Sequence, residues 1–208
     1  MEVHPPHGSV HSVKDFMVHL LAITIGLLIA LGLESSVEWV HHRHLAQEAR
    51  ENILREIHDN QQSVVRELNT LPKEKEQLEN ILKTVSDMQY NRATKPIGNL
   101  TWTNTHLGED AWNTSNSTGA TSHMSYEEVK RYSRLYTIQA LFNATAERYL
   151  AERGEMYAFL TRLNLPDRPS AAEFEQGKHA ITSQIVMGQF LREISNGLNT
   201  NYDKISKP

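Results

Sequence analysis

Eleven histidines are the side chains in this chain whose type and spacing bear most directly on chemistry. His4, His7 and His11 are spaced by three and then four, the interval that gathers imidazoles on one helical face and suits a nitrogen-ligated metal. Pro5-Pro6 forbids regular helix through the first two, so residues 1–15 read as a flexible tail with an adventitious metal site at most. The run His41-His42-Arg43-His44 is denser. Glu38-Trp39-Val40-His41 also has the Glu-x-x-His form that di-iron bundles use in two copies on different helices. No second copy occurs: His106-Leu107-Gly108-Glu109 reverses the order and falls in a loop segment. His41, His42 and His44 are thus weak metal-ligand candidates. The alternative is that they sit beside Arg43 at lipid headgroup level, touching phosphates or water, with protonation in mild acid strengthening the contact.

Other chemistry has no residues on which to rest. With no cysteine, disulfides, thiolate catalysis and cysteine-ligated metal sites are excluded. The chain has no phosphate-binding G-x-x-x-x-G-K-[ST], no G-x-S-x-G elbow, no H-E-x-x-H and no G-x-G-x-x-G. No catalytic residue and no cofactor is therefore assigned, and a non-enzymatic protein is the expectation. A net charge of -4 does not supply the basic face that nucleic-acid binding requires, so no nucleic-acid partner is expected.

The elements around these residues are legible. Residues 16–33, FMVHLLAITIGLLIALGL, contain no Asp, Glu, Lys or Arg. As a helix the stretch is roughly 27 Å long, against about 30 Å of bilayer hydrocarbon. A core helix of this length would carry a polar stripe, yet only His19 and Thr24 interrupt it. A secretory signal would have a basic n-region and a shorter apolar run, whereas Lys14 is followed at once by Asp15; Ala30-Leu31-Gly32 is nonetheless a passable cleavage site. A retained transmembrane helix is the reading adopted, with Ala22, Gly26 and Ala30 on one face where a second membrane helix would pack closely. Arg43 and Arg50 follow the span and Lys14 alone precedes it. By the positive-inside rule this puts the C-terminal domain in the cytoplasm of a bacterial inner-membrane protein, ahead of the periplasmic alternative.

Past residue 33 the helix continues into a stalk and the first bundle helices, residues 34–90. Leu54, Ile57, Gln61, Val64, Leu68 and Leu71 give a coiled-coil-like seam, and Pro72 ends or kinks it. Residues 91–124 are rich in Asn, Thr, Ser and Gly and read as a polar loop with a short helix near 110–117. The remainder, 125–208, holds two long helices. Ser125-x-x-Glu128 opens the first as a capping box and Ser170-x-x-Glu173 opens the second. No segment alternates as a strand does. The fold class is all-α: one N-terminal transmembrane helix continuing into a bundle with long antiparallel helices.

The opening MEVHPPH, the segment HLLAITIGLLIALGLE, VHHRH, Trp112-Asn113-Thr114, Thr118-Gly119-Ala120, Met124-x-Tyr126-Glu127 and Tyr132-x-x-x-Tyr136-x-x-Gln139 together resemble an uncharacterised group of bacterial single-pass membrane proteins, notably acidobacterial. That resemblance covers the first fifty residues and about 110–140. It implies a retained anchor and brings no activity, cofactor or catalytic residue. It draws attention to Trp112, Gly119, Tyr126, Tyr132 and Tyr136 as one aromatic patch, which is either a packed joint or the wall of a ligand pocket. Three roles are compatible with all this: a structural or interaction protein contacting itself or another membrane protein, a membrane-tethered sensor using the aromatic patch, and a metal-binding protein using the juxtamembrane histidines.

Overall fold

The computed structural model describes residues 13–92, 97, 100, 102 and 104–206. In chain order it contains α1 (Val13–Gln89), α2 (Asp110–Ser117), a 3-10 turn (Ala120–His123), α3 (Tyr126–Arg162) and α4 (Ala171–Ser206), with no strand among the described residues. The chain divides into two compact units, residues 1–48 and 49–208.

In the first unit, α1 presents an 18-residue window of mean hydropathy 2.5, none of it buried, so the helix is long and apolar enough to cross a membrane. Its polar side chains fold back on their own helix. His19 Nδ1 lies 2.9 Å from the Asp15 carbonyl oxygen, and Thr24 Oγ1 donates to the Leu20 carbonyl at 2.8 Å. Satisfying each polar group within the helix is what a hydrocarbon environment demands. A core helix would bury one side of this run; this one exposes Phe16, Leu20, Ile23, Leu27 and Leu31 alike.

In the second unit, α1 buries Ile53, Ile57, Asn60, Val64, Glu67, Leu71, Glu74, Leu78, Ile81 and Val85. From Ile57 onward these alternate by three and four residues, the repeat of a bundle seam. The apolar pattern places the seam partly elsewhere. Ile57, Val64 and Leu71 are buried, but Leu54 is exposed, and Gln61 and Leu68 sit half-buried on the flank. Gln61 there donates to Asn199 Oδ1 at 3.1 Å and Asp203 Oδ1 at 2.7 Å of α4. Pro72 does not end the helix, which runs on to Gln89. The missing N–H and ring clash cost about 3 kcal/mol. Keeping Leu71 and Leu78 in the buried stripe on either side contributes roughly 1.5–3 kcal/mol each and offsets that.

Cross-helix partners fix the directions. Arg50 meets Glu128, Asn60 meets Gln139 and Glu74 meets Arg153, so α1 and α3 run parallel. Gln61 meets Asp203 and Gln89 meets Glu175, while Gln139 meets Tyr202, so α4 is antiparallel to both. Parallel neighbours cannot be joined by a tight turn. The chain must return about 60 Å from the end of α1 to the start of α3, and residues 90–125 are that crossover.

Local chemistry sets the ends. Asn91 takes a left-handed conformation (φ 59°), with Arg92 N–H donating to the Asp87 carbonyl at 2.8 Å and Asn91 N–H to Met88 at 3.2 Å, a Schellman stop. Arg168, from the α3–α4 connection, donates to the carbonyl of Gln89 (2.8 Å) and adds a second donor to that of Met88 (3.2 Å). At α3 the Glu128 N–H donates to Ser125 Oγ at 3.3 Å. The Glu128 carboxylate, expected to reach back to Ser125, instead accepts Arg50 Nε at 2.6 Å and Nη2 at 2.9 Å. A bidentate guanidinium is the stronger partner and ties α1 to α3.

The α4 box is complete. Ser170 N–H donates to Glu173 Oε2 at 2.7 Å, Glu173 N–H donates to Ser170 Oγ at 3.3 Å, and Arg162 Nε donates to Glu173 Oε1 at 2.9 Å. The Ser170 hydrogen bonds, with Arg162 behind them, lower the Glu173 carboxyl to about 2. A lowered folded-state value means the contribution of Glu173 is present above pH 4.5 and is lost as pH falls toward 2. The stability difference between the parent and Glu173→Gln is therefore expected to shrink steadily over that window in denaturant unfolding, and a pH-independent difference would refute the assignment. Next to this cap, Phe159 and Phe174 meet edge-on at 6.1 Å over a core of Leu78, Ile81, Val85, Met156 and Ile181. Phe159 lies directly on Gly177, where any Cβ would collide with the ring.

Candidate functional site

The groove between parallel α1 and α3 concentrates the buried polar side chains of the second unit, and Thr105, Leu107, Gly108 and Ala111 of the crossover bond to side chains within it. An extended segment carries backbone donors and acceptors with no ladder to satisfy them. Here side-chain amides supply the ladder. Leu107 N–H donates to Asn143 Oδ1 at 2.9 Å while Asn143 Nδ2 donates back to the Leu107 carbonyl at 3.0 Å. Gly108 N–H donates to Asn60 Oδ1 at 2.9 Å while Asn60 Nδ2 returns to the Gly108 carbonyl at 2.8 Å. Gln139 Nε2 adds a second donor to that carbonyl at 2.6 Å, and its own Oε1 accepts from Asn60 Nδ2 at 3.1 Å and the Tyr202 hydroxyl at 2.8 Å. The Leu107 side chain is completely buried between these pairs.

The aromatic residues close the next level. Trp112 stacks on Tyr136 with centroids 5.4 Å apart and planes at 9°, and meets Tyr132 edge-on at 6.3 Å. The Tyr136 hydroxyl donates to Glu56 Oε1 at 2.6 Å, and Ala111 N–H donates to Glu56 Oε2 at 2.9 Å. Burial first, and then the Glu56 carboxylate, push the Tyr136 hydroxyl well above its ordinary value, so it stays protonated and keeps donating. Gly119, at φ 76°, begins the 3-10 turn; this left-handed conformation is one that a side chain would strain. Tyr126 is 76% exposed, beside Lys130, and does not join the cluster. Of the five patch residues the structure stacks Trp112, Tyr132 and Tyr136 together, with Gly119 shaping the turn behind them. No protein-family model, curated protein or solved structure matches this chain.

A charged level lies further along the groove. Arg153 Nη2 donates to Glu74 Oε1, with side chains only 3% and 1% exposed. The guanidinium lies against Trp102 (5.1 Å) and Tyr149 (4.7 Å), and nearby Thr105 Oγ1 donates to Glu67 Oε2 at 2.5 Å. Burial raises the Glu74 carboxyl, with Arg153 and Tyr149 pulling it back down. Glu74 Oε2, Arg153 Nε, Arg153 Nη1 and Gln184 Oε1 are buried with no hydrogen-bond partner in the chain. Each such group costs about 1–3 kcal/mol if left unsatisfied.

Of the other candidates, the His41 and His42 rings lie 6.1 Å apart and tilted, with His41 and His44 exposed. Arg43 lies over Trp39 at 5.3 Å. Among the described residues no three His, Cys, Asp or Glu side chains come together in a metal-binding arrangement. His4, His7 and His11 lie outside the described residues. Ala22, Gly26 and Ala30 are all exposed on α1. The residues missed in the sequence are Glu56, Asn60, Glu67, Glu74, Gln139, Asn143, Arg153 and Gln184. The signal that marks three of them is the seven-residue spacing Asn60, Glu67, Glu74 in register with Ile53 and Ile81.

Proposed function

We propose that this chain is a membrane-anchored helical-bundle protein acting as a structural or interaction partner, through contact with itself or with another membrane protein, rather than as an enzyme. The observation that carries this reading is where the polar and aromatic groups of the α1–α3 groove point. Asn60, Gln139, Asn143, Glu56 and Tyr136 are hydrogen-bonded to one another and to residues 107–111 of the same chain. The stacking of Trp112 on Tyr136 favours a packed joint over a ligand-binding wall. What the chain offers outward is an apolar helix exposed along its whole span, with Ala22, Gly26 and Ala30 as the face on which a second helix fits.

Single cysteines introduced into this cysteine-free chain test both parts. Oxidative crosslinking in native membranes is expected to peak at Ala22→Cys, Gly26→Cys and Ala30→Cys and to fall at Thr24→Cys and Leu28→Cys. Crosslinking without that periodicity removes self-association through this face. Labelling of Ser9→Cys or Ser206→Cys with an impermeant reagent separates the cytoplasmic placement of the bundle from the periplasmic one.

A further inference from the structure

We infer that Trp39 and Arg43 form a docking site for the phosphate of a lipid headgroup, on the side of the membrane where α1 leaves it. The inference rests on the reading of residues 16–33 as a membrane span. Within the 1–48 unit, Arg43 is exposed and its guanidinium lies over the Trp39 ring at 5.3 Å. Among the described residues it makes no hydrogen bond or ion pair. Stacking occupies a face of the guanidinium and leaves the N–H donors round its edge free, in the fork that grips two phosphate oxygens. The carboxylates nearest in sequence lie elsewhere on the helix. At about 100° per residue, Glu38 lies roughly 140° and Glu34 roughly 180° around α1 from Arg43, whereas Trp39 lies roughly 40° away. The other residues of that turn, His41, His42 and His44, add no negative charge.

Depth identifies the anion. α1 is one continuous helix from Val13 to Gln89, so position along it sets distance from the membrane. With Leu33 at the hydrocarbon edge, Trp39 stands about 9 Å beyond it, and the headgroup layer is about 5–8 Å deep. Helical side chains lean toward the N-terminus, so the Trp39 ring reaches back into that layer. The Arg43 backbone is about 15 Å out, but stacking on the ring returns its charge to the same level. Val37, Trp39 and Val40 are 70%, 61% and 59% exposed, so that level of the helix is open. Tryptophan favours this interface by itself, and a cation fixed beside it there meets phosphate.

Solid-state NMR of the full chain, with arginine Cζ carbons labelled, in bilayers of phosphatidylglycerol tests the site. Phosphorus dephasing of an arginine Cζ signal is expected at a separation of about 4 Å, which a two-pronged N–H···O contact imposes. Arg43→Gln should remove that component, and Trp39→Leu should weaken it while every arginine remains. Both positions are exposed on α1, so neither change empties a packed core. Transfer of lipid acyl-chain magnetisation to the anchor's methyl groups checks insertion in the same sample. Insertion without the phosphorus contact overturns the docking site and leaves the membrane span standing; loss of both overturns both. Undiminished dephasing in Arg43→Gln or in Trp39→Leu also overturns the site. The same dephasing from inorganic phosphate, for the chain in a phosphate-free detergent, would overturn the assignment to lipid.

Discussion

Arg153→Met is expected to destabilise the 49–208 unit by about 3–5 kcal/mol, the cost of leaving a buried carboxylate without its cation. Combining Glu74→Met with Arg153→Met should return most of that loss, because two apolar side chains of similar volume need neither desolvated charge nor paired geometry. The pattern follows from burial of both partners and from the single hydrogen bond between them. It also carries a pH signature. Burial already raises Glu74, and Arg153 is the largest influence holding it down. In Arg153→Met the carboxyl rises further, so the folded state binds a proton that the unfolded state releases above pH 4.5. Stability of that variant must therefore fall as pH rises from 4.5 toward the raised folded-state value. Urea unfolding of the full chain at several pH values, with the parent and both variants, measures all of this. A single variant no weaker than the double, or one whose stability rises with pH, contradicts the assignment.

The same residues show why the sequence revealed the fold class more readily than the groove. An exposed apolar run, long proline-poor segments and the Ser170–Glu173 box follow from local rules: hydropathy, propensity and a three-residue hydrogen-bond reach. Asn60, Glu67 and Glu74 occupy seam positions where apolar periodicity rejects polar side chains, so the pattern shifts to Leu54, Gln61 and Leu68. Their partners lie 38 to 79 residues away. No local window contains both halves. Glu128 illustrates the limit from the other side. Its spacing from Ser125 fits a capping box, but a guanidinium from α1 competes for the carboxylate and wins. Pro72 is a similar case, since its local tendency to break a helix is outweighed by burial that only the assembled bundle provides. The parallel course of α1 and α3 was equally hidden, because it depends on what the crossover does rather than on any helix pattern.

Loss of the crossover's hold on the groove should be almost as damaging as loss of the ion pair. Leu107→Ala empties a fully buried site and is expected to cost about 2–5 kcal/mol. Asn60→Leu removes the partner of the Gly108 N–H and one of two donors to its carbonyl, at about 1–3 kcal/mol for each buried group left unsatisfied. Asn60→Asp separates the two halves of that pair: it keeps an acceptor for the Gly108 N–H and loses the donor. Because Asn60 and Asn143 grip adjacent residues, their substitutions should couple by about 0.5–3 kcal/mol in a double-mutant cycle rather than add. Hydrogen exchange locates the effect. If the crossover is a structural member of the bundle, the Leu107 and Gly108 amides open only with the α1 and α3 seam amides, and Asn143→Ala lowers protection along all three. Rapid exchange at 107 and 108 over a protected α3 would mean that the parallel pair stands without its strap, and the polar ladder along α1 would lose its structural explanation.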